Sequence, residues 1–305
     1  MRTVLTVFEL SKSEIERIFA VTADLKAKFL NGLREPLLPG RVMALLFEKP
    51  SLRTRVSFET AMLHLGGGSL FLGKDVGWGH RESIVDFAHV LSQYVDIVVC
   101  RANSHDSLEH FAEHCSVPVI NGLTDLAHPC QALADVYTLR ELHPDTPDFK
   151  LAFIGDANNM ARSLAVACAR LGIEFSIASP EPYRFEAQFV EQLRATCPEC
   201  RLMQTADPVE AVDGAGAIYT DVWVSMGQEA EREERTRAFG PYQVNASLLA
   251  QAAPNVSFLH CLPARRGEEV TEEVIDGPAS AVLHQAGNRM HVQKGLLAWL
   301  LGAQT

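Results

Sequence analysis

RVMALLFEKPSLRTRVSFETAMLHLGG, residues 41–67, sets the pattern on which the chain is built. A short apolar run (41–48) ends at Lys49-Pro50, and apolar residues then return at helical spacing as Val56, Phe58, Met62 and Leu63. The same strand-then-helix pairing recurs in DIVVC (96–100) before SLEHFAEH, and in PVIN (118–121) before the stretch from His128. It restarts at KLAFIGD (150–156), with a helix through MARSLAVACARLG, then FSIAS, a helix near 183–195, AIYTDV, SFLHCL and a last helix near 286–301. This alternation is βαβ grammar, and it predicts an α/β protein with two parallel sheets.

A chain of 305 residues is too long for one small core, and two α/β domains of about 150 residues are the natural division. ELHPDTPDFK (141–150), rich in proline and charge, separates the two series and marks the boundary and hinge. We therefore divide the chain into residues 1–140, residues 141–285 and a terminal helix, 286–305. In open parallel sheets ligands bind beyond the carboxyl ends of strands. The residues that follow 41–48, 96–100, 118–121, 150–156, 217–222 and 256–261 are thus the ones to inspect.

Composition narrows the partners. Hydrophobic residues make up 47% and charged residues 21%, as in an ordinary globule, and the formal charge of -11 opposes general binding to nucleic acid or anionic membrane. No stretch reaches the roughly 18 apolar residues of a membrane span, and MRTVLTVFELSKSE lacks the layout of a signal peptide, so a cytoplasmic location is expected. The seven cysteines are scattered and mostly lie in apolar runs, as reduced core thiols do. Cys197-Pro-Glu-Cys200 is a lone pair without a second pair or a nearby histidine, and reads as a surface loop. His64, His80, His89, His105, His110 and His114 show no tight ligand spacing, and no metal or other cofactor is expected.

Within the opening stretch, Pro50-Ser51-Leu52-Arg53-Thr54-Arg55 sits at a helix N-terminus. There the unpaired backbone N–H groups and the positive dipole end favour an anion, hydroxyls add donors, and arginine can grip phosphate with two parallel hydrogen bonds. The segment reads as a phosphate cradle, although alone it is equally a capped helix with solvated arginines. It is not a nucleotide loop: no G-x-x-x-x-G-K-[ST] occurs, and GDANNMARS (155–163) lacks G-x-G-x-x-G, so neither ATP nor NAD is expected.

Ser51-Leu52-Arg53-Thr54-Arg55 resembles the Ser-x-Arg-Thr-Arg motif of the aspartate/ornithine carbamoyltransferase family. Three further segments agree in the same order: His128-Pro129-Cys130-Gln131, Asp221-Val222-Trp223-Val224-Ser225-Met226-Gly227, and His260-Cys261-Leu262-Pro263. The likeness runs from about residue 4 to the C-terminus, and Asp221 to Gly227 looks like the ornithine-type signature. The resemblance implies two α/β domains with the active site in the cleft between them, and a C-terminal helix packing back on the first domain. It further implies homotrimers, or multiples of trimers, with sites at subunit interfaces, taking carbamoyl phosphate and L-ornithine to citrulline and phosphate in arginine metabolism.

Carried over residue by residue, the resemblance puts Ser51, Leu52, Arg53, Thr54 and Arg101 on the phosphate, with Arg55 a second choice. It sets Thr54, Arg101 and His128 around the carbonyl oxygen, where they would stabilise a tetrahedral oxyanion. Gln131, with the backbone carbonyls around Cys261 and Leu262, would orient the carbamoyl nitrogen, and Arg289 would reach in from the last helix. Asn159, with Asn158 beside it, and Asp221, Ser225 and Met226 match the ornithine contacts. Arg101, His128, Asp221 and Cys261 are the expected catalytic set, Asp221 and Cys261 tuning the attacking amine. Either Asp221 or a product phosphate oxygen would take the proton. Cys261 needs no covalent role, because the amine is itself the nucleophile.

One segment departs from the family pattern. Gly77-Trp78-Gly79-His80-Arg81-Glu82-Ser83 lacks the glutamine that many ornithine-type members carry before Gly-x-x-Glu-Ser. Trp78 resembles the tryptophan of relatives that act on N-acylated ornithine, which keeps that acceptor as an alternative, with Trp78 or His80 filling the gap. A non-catalytic family member is the other alternative; against it, Arg53, Arg101, His128, Asp221, Cys261 and Arg289 are all present.

Overall fold

The structure, a computed structural model, describes residues 2–302 apart from Gly79, His80, Asp145, Pro147 and Met226. Two compact units emerge, Met1–Ala134 together with Gly287–Thr305, and Asp135–Ala286.

The first unit contains α1 (Lys12–Leu30), β1 (Val42–Phe47), α2 (Leu52–His64), β2 (Gly68–Leu72), α3 (Ile84–Leu91), β3 (Ile97–Arg101), α4 (His105–His114) and β4 (Val119–Leu123). It also takes the start of α5 (Pro129–Leu142). Its sheet runs β2-β1-β3-β4, all parallel. The central strands β1 and β3 are buried almost throughout, which is why they read as unbroken apolar runs. Leu46, Val98, Phe111 and Val119 belong to the core on one face. Edge strand β2 is half exposed and opens on glycine, and no strand was expected there from the sequence.

The second unit continues with β5 (Lys150–Ile154), α6 (Asn159–Leu171), β6 (Glu174–Ala178), α7 (Ala187–Thr196), β7 (Leu202–Thr205), α8 (Pro208–Val212) and β8 (Ala217–Thr220). After these come α9 (Arg232–Phe239), α10 (Ala246–Leu249), β9 (Ser257–His260), α11 (Glu272–Ile275) and the start of α12 (Val282–Leu300). The sheet order is β7-β6-β5-β8-β9, again all parallel. Ile154, Ile218, Trp223, Phe239 and Phe258 share a core. The two-sheet α/β expectation is met, and from Gly287 onward the last helix belongs to the first unit, as the family pattern implies.

Strand order fixes where each unit can bind a ligand. The chain leaves β1 towards β2 on one side and leaves β3 towards β4 on the other, so the loops beyond β1 and β3 part and open a crevice. The same reversal separates β5 from β8 in the second unit. Phe47 pairs with Arg101, and Ile154 with Thr220, at the carboxyl ends of these strand pairs.

Helix α12 lies against α1 with almost no space between them. A Cβ on Gly295 would strike the Thr22 hydroxyl and come within 2.8 Å of the Ile18 carbonyl, whereas one on Gly287 would meet nothing within 4 Å. Gly295→Ala should therefore lower unfolding stability by about 1–3 kcal/mol despite the better helix propensity. Gly287→Ala should raise it by roughly 0.5–1 kcal/mol. Urea denaturation of the two variants checks both signs.

Candidate active site

At the crevice of the first unit, Ser51 caps α2 and its hydroxyl oxygen accepts from the Thr54 backbone N–H at 3.3 Å. Such a cap contributes about 0.5–2 kcal/mol and fixes the first helical turn. The same Ser51 hydroxyl donates to Thr54 Oγ1 at 2.9 Å. Arg101, at the end of β3, reaches that oxygen through Nη1 at 3.3 Å, and Arg289 from α12 through Nη2 at 2.6 Å. Arg289 also donates through Nη1 to Gln131 Oε1 at 2.8 Å. Thr54, Arg101, His128, Gln131 and Arg289 are all buried, Arg53 is exposed at the mouth, and Leu52 opens the helix with its side chain 78% exposed.

Two buried guanidinium groups on one oxygen lie within roughly 6 Å of each other, and at an effective dielectric near 20 they repel by about 3 kcal/mol. An anion brought between them removes that penalty. His128, just before α5, feels the same field: burial first, then Arg289, Arg101 and Arg53, hold its pKa well below the ordinary imidazole value. At neutral pH it is an uncharged ring that can still donate one N–H. Seven of the phosphate-side residues expected from the sequence, Ser51, Leu52, Arg53, Thr54, Arg101, Gln131 and Arg289, thus gather with His128 in one unit.

The crevice of the second unit is acidic and thiol-bearing. Asp221, just past β8, accepts from the Val222 N–H at 2.8 Å, from Asn158 Nδ2 at 3.0 Å and from Cys261 Sγ at 3.1 Å. Burial, with the Asp221 charge next in weight, pushes the Cys261 thiol well above its ordinary pKa, so it stays protonated and acts as a donor. His260 accepts the Leu262 N–H on Nδ1 at 2.9 Å, which leaves its proton on Nε2 facing Glu269 at 3.1 Å. Leu262 has φ 58, the one positive value among described non-glycine residues. Backbone held in that sparsely populated region costs energy and recurs at ligand sites. Behind Cys261, Tyr219 donates to Asp135 at 3.0 Å, while Gln285 donates to Asp135 at 2.7 Å and accepts the His260 N–H at 3.0 Å.

Several assignments shift in emphasis. Asn158, not its neighbour Asn159, is the N-cap of α6 and the partner of Asp221; its Oδ1 accepts from Met160 and Ala161 N–H at 2.9 and 3.0 Å. Asn159 is the first helical residue. Arg235 was not expected at all, because it sits in the charged run EAEREERTR (229–237) that reads as solvated surface. It is buried, pairs with Asp156 after β5, and donates to the Trp223 carbonyl at 2.6 Å, tying together the loops beyond β5 and β8. Ser225 is held through its backbone by Gln228 Oε1 at 3.0 Å, and Met226 lies outside the described residues. Arg55 turns outward onto Glu59 at 3.1 Å and stacks over Phe71, which makes it structural.

Trp78 is only 7% exposed and packs into the first unit's core, 5.3 Å from the Phe111 ring; of the two residues offered for the missing glutamine, His80 lies outside the described residues. A cavity of about 310 Å³ opens beside Trp78, lined also by Glu48, Lys74 and Asn103.

Comparison with known proteins agrees with this architecture. The family model described as the aspartate/ornithine carbamoyltransferase carbamoyl-P binding domain matches residues 2–141, and the one described as the Asp/Orn binding domain of the same family matches residues 147–300. The chain belongs to the aspartate/ornithine carbamoyltransferase family. Ornithine carbamoyltransferase of Anoxybacillus flavithermus is 49% identical to it over 300 residues, covering 97% of this chain and 96% of that one. That of Bacillus subtilis is 48% identical over 303 residues, 98% and 94% of the two chains. Among solved structures, ornithine carbamoyltransferase from Pyrococcus furiosus superposes with a TM-score of 0.95 at 45% identity, over 99% of this chain and 97% of that one. The members of this family are carbamoyltransferases, which makes the chain one of an enzyme family.

Among the described residues two groupings could hold a metal by donor type. Asp221, His260 and Cys261 bring donor atoms within 4.8 Å of one another. Both ring nitrogens of His260 are already engaged and Cys261 is a protonated donor, so the group works as a hydrogen-bonded array. The second grouping corrects the expectation that the histidines share no ligand spacing: α4 brings His110, Glu113 and His114 within 4.8 Å of one another, because positions three and four apart share one helix face.

Two measurements test the site's electrostatics. His128 has a folded pKa below its unfolded value of about 6.5, so the unfolded chain binds the proton first, and stability present above that pH is lost as pH falls below it. His128→Gln should flatten this acid limb of a stability-versus-pH curve. Separately, alkylation of Cys261 by iodoacetamide at pH 8 should run far slower than that of a free thiol, a difference read by mass spectrometry of the labelled peptide.

Proposed function

We propose that this chain is an ornithine carbamoyltransferase, converting carbamoyl phosphate and L-ornithine to L-citrulline and phosphate in arginine biosynthesis. The observation that carries the reading is the convergence of Ser51, Arg101 and Arg289 on the Thr54 hydroxyl, beside the uncharged His128. It is a dense cationic pocket in a chain of net charge -11.

In this reading residues 1–140 bind carbamoyl phosphate and residues 141–285 bind ornithine, with 286–305 adding Arg289 to the first. Ser51, Leu52, Arg53, Thr54 and Arg101 hold the phosphate, Leu52 through its backbone. Thr54, Arg101 and His128 donate to the carbonyl oxygen as negative charge grows on it, a kind of stabilisation worth about 10²–10³ in rate per donor. Gln131, Arg289 and the backbone at Cys261 and Leu262 orient the carbamoyl group.

Asn159 binds the α-carboxylate, and Asp221, Ser225 and Met226 hold the amines; Asn158 supports Asp221. The side-chain amine attacks the carbonyl carbon, the C–N bond forms, the C–O bond to phosphate breaks, and the amine proton passes to Asp221 or to a phosphate oxygen. Cys261 stays a thiol and positions Asp221. The chemistry requires no cofactor. We propose a cytoplasmic location and a homotrimer or a multiple of trimers; no helix among the described residues is long and apolar enough to cross a membrane. The buried position of Trp78 favours a packing role over selection of an acylated acceptor.

Purified protein given carbamoyl phosphate with L-ornithine, N-acetylornithine, putrescine or L-aspartate should form carbamoylated product with ornithine alone. Preference for N-acetylornithine would move acceptor choice to the Trp78 loop, and no turnover with any acceptor would favour a non-catalytic member.

A further inference from the structure

Helices α3 and α4 present a cluster of imidazoles on the first unit's surface that the carbamoyl chemistry does not use. His110 and His114 stand one turn apart on α4 with ring centroids 5.0 Å apart, and Glu113 lies between them in sequence, Oε2 3.9 Å from His110 Nδ1. From α3, His89 sets its ring edge-on to His114 at 5.8 Å. The opposite face of α4 buries Leu108 and Phe111, so the helix is anchored and its histidine face is presented outward.

We propose that His110, Glu113 and His114 bind a divalent transition-metal ion of the Zn²⁺ class, and that His89 supplies a fourth ligand from α3. Three imidazoles and one carboxylate form the donor set that zinc and its neighbours take and that magnesium and calcium, which prefer oxygen, do not. Ligands held about 2.0–2.1 Å from one ion are at most about 4.2 Å apart. The donor atoms on α4 already lie within 4.8 Å of one another, so small turns about exposed χ angles bring them into range. Because α4 supplies three ligands and α3 the fourth, the ion clips the two helices together. Helix α3 follows directly on the segment from Lys74 to Ser83, so the clip steadies the element on which the Trp78 loop ends.

Zinc binding to the full-length protein tests this by equilibrium dialysis and by thermal melting with and without Zn²⁺. Wild type should hold one equivalent that the doubly substituted His110→Ala/His114→Ala protein lacks, and only wild type should gain melting temperature through that equivalent. His89→Ala should weaken the binding while His110 and His114 still hold the ion. Cobalt reports which site is filled: bound here, it gives visible d–d bands that vanish with the double substitution and no thiolate charge-transfer band, which a site at Cys261 would give. All three substitutions are on exposed or half-exposed side chains away from the catalytic set, so turnover of ornithine should be unchanged. Equal zinc stoichiometry and equal melting shifts in wild type and the double variant overturn the proposal, as does a cobalt spectrum carried entirely by thiolate.

Discussion

The direction in which each chain crossover leaves its sheet is the constraint on which the rest depends. Parallel strands must be joined by long right-handed connections, and where neighbouring strands send theirs opposite ways the sheet's edge gapes. Each unit has one such place, β1 beside β3 and β5 beside β8. Arg101 is the last residue of β3, the Ser51 cap follows β1, Asn158 follows β5 and Asp221 follows β8. These side chains sit where the topology parts the loops beyond the strand ends.

Electrostatics then gives the two crevices opposite characters. Around Thr54 burial, and after it the gathered cations, keeps His128 from taking a proton, whereas around Asp221 burial, and after it the carboxylate, keeps Cys261 from losing one. His128 is thereby held as a neutral ring that keeps one N–H to donate, and Cys261 as a thiol that donates to Asp221. In a protein with 38 acidic and 27 basic residues, Arg101 and Arg289 are buried rather than displayed. Buried this way, they are costly, and an anion placed between them would offset that cost.

Much of this was legible in the chain itself. Buried central strands wrote themselves as apolar runs, and the Ser51 to Arg55, His128 to Gln131, Asp221 to Gly227 and His260 to Pro263 segments marked strand ends. The half-exposed edge strands β2 and β7 left no such trace, because strands with no fully buried residue need no continuous apolar run. Arg235 was hidden for a different reason: a buried ion pair to Asp156, 79 residues away, has no local signature in a stretch dense with charge. Asn158 and Asn159 could not be told apart by type, and only the turn of the chain decides which one caps the helix. The grouping on α4 shows the converse, a spacing present in the sequence whose meaning depends on the segment being helical.

The contribution of α12 to the first unit bears on how the protein is made. Synthesis runs from the N-terminus, yet that unit is not complete until residues 287–305 have been added. Until then Thr22 and Ile18 lack the helix that packs at Gly295, Lys26 lacks Asn288, and the crevice around Thr54 lacks Arg289. The nascent chain therefore carries an unfinished first unit through translation of the whole second one, and its closure joins residues more than 260 positions apart. Contacts so distant in sequence form late. The arginine-lined pocket around Thr54 is thus among the last features the ribosome's product acquires, and a truncated chain lacks it.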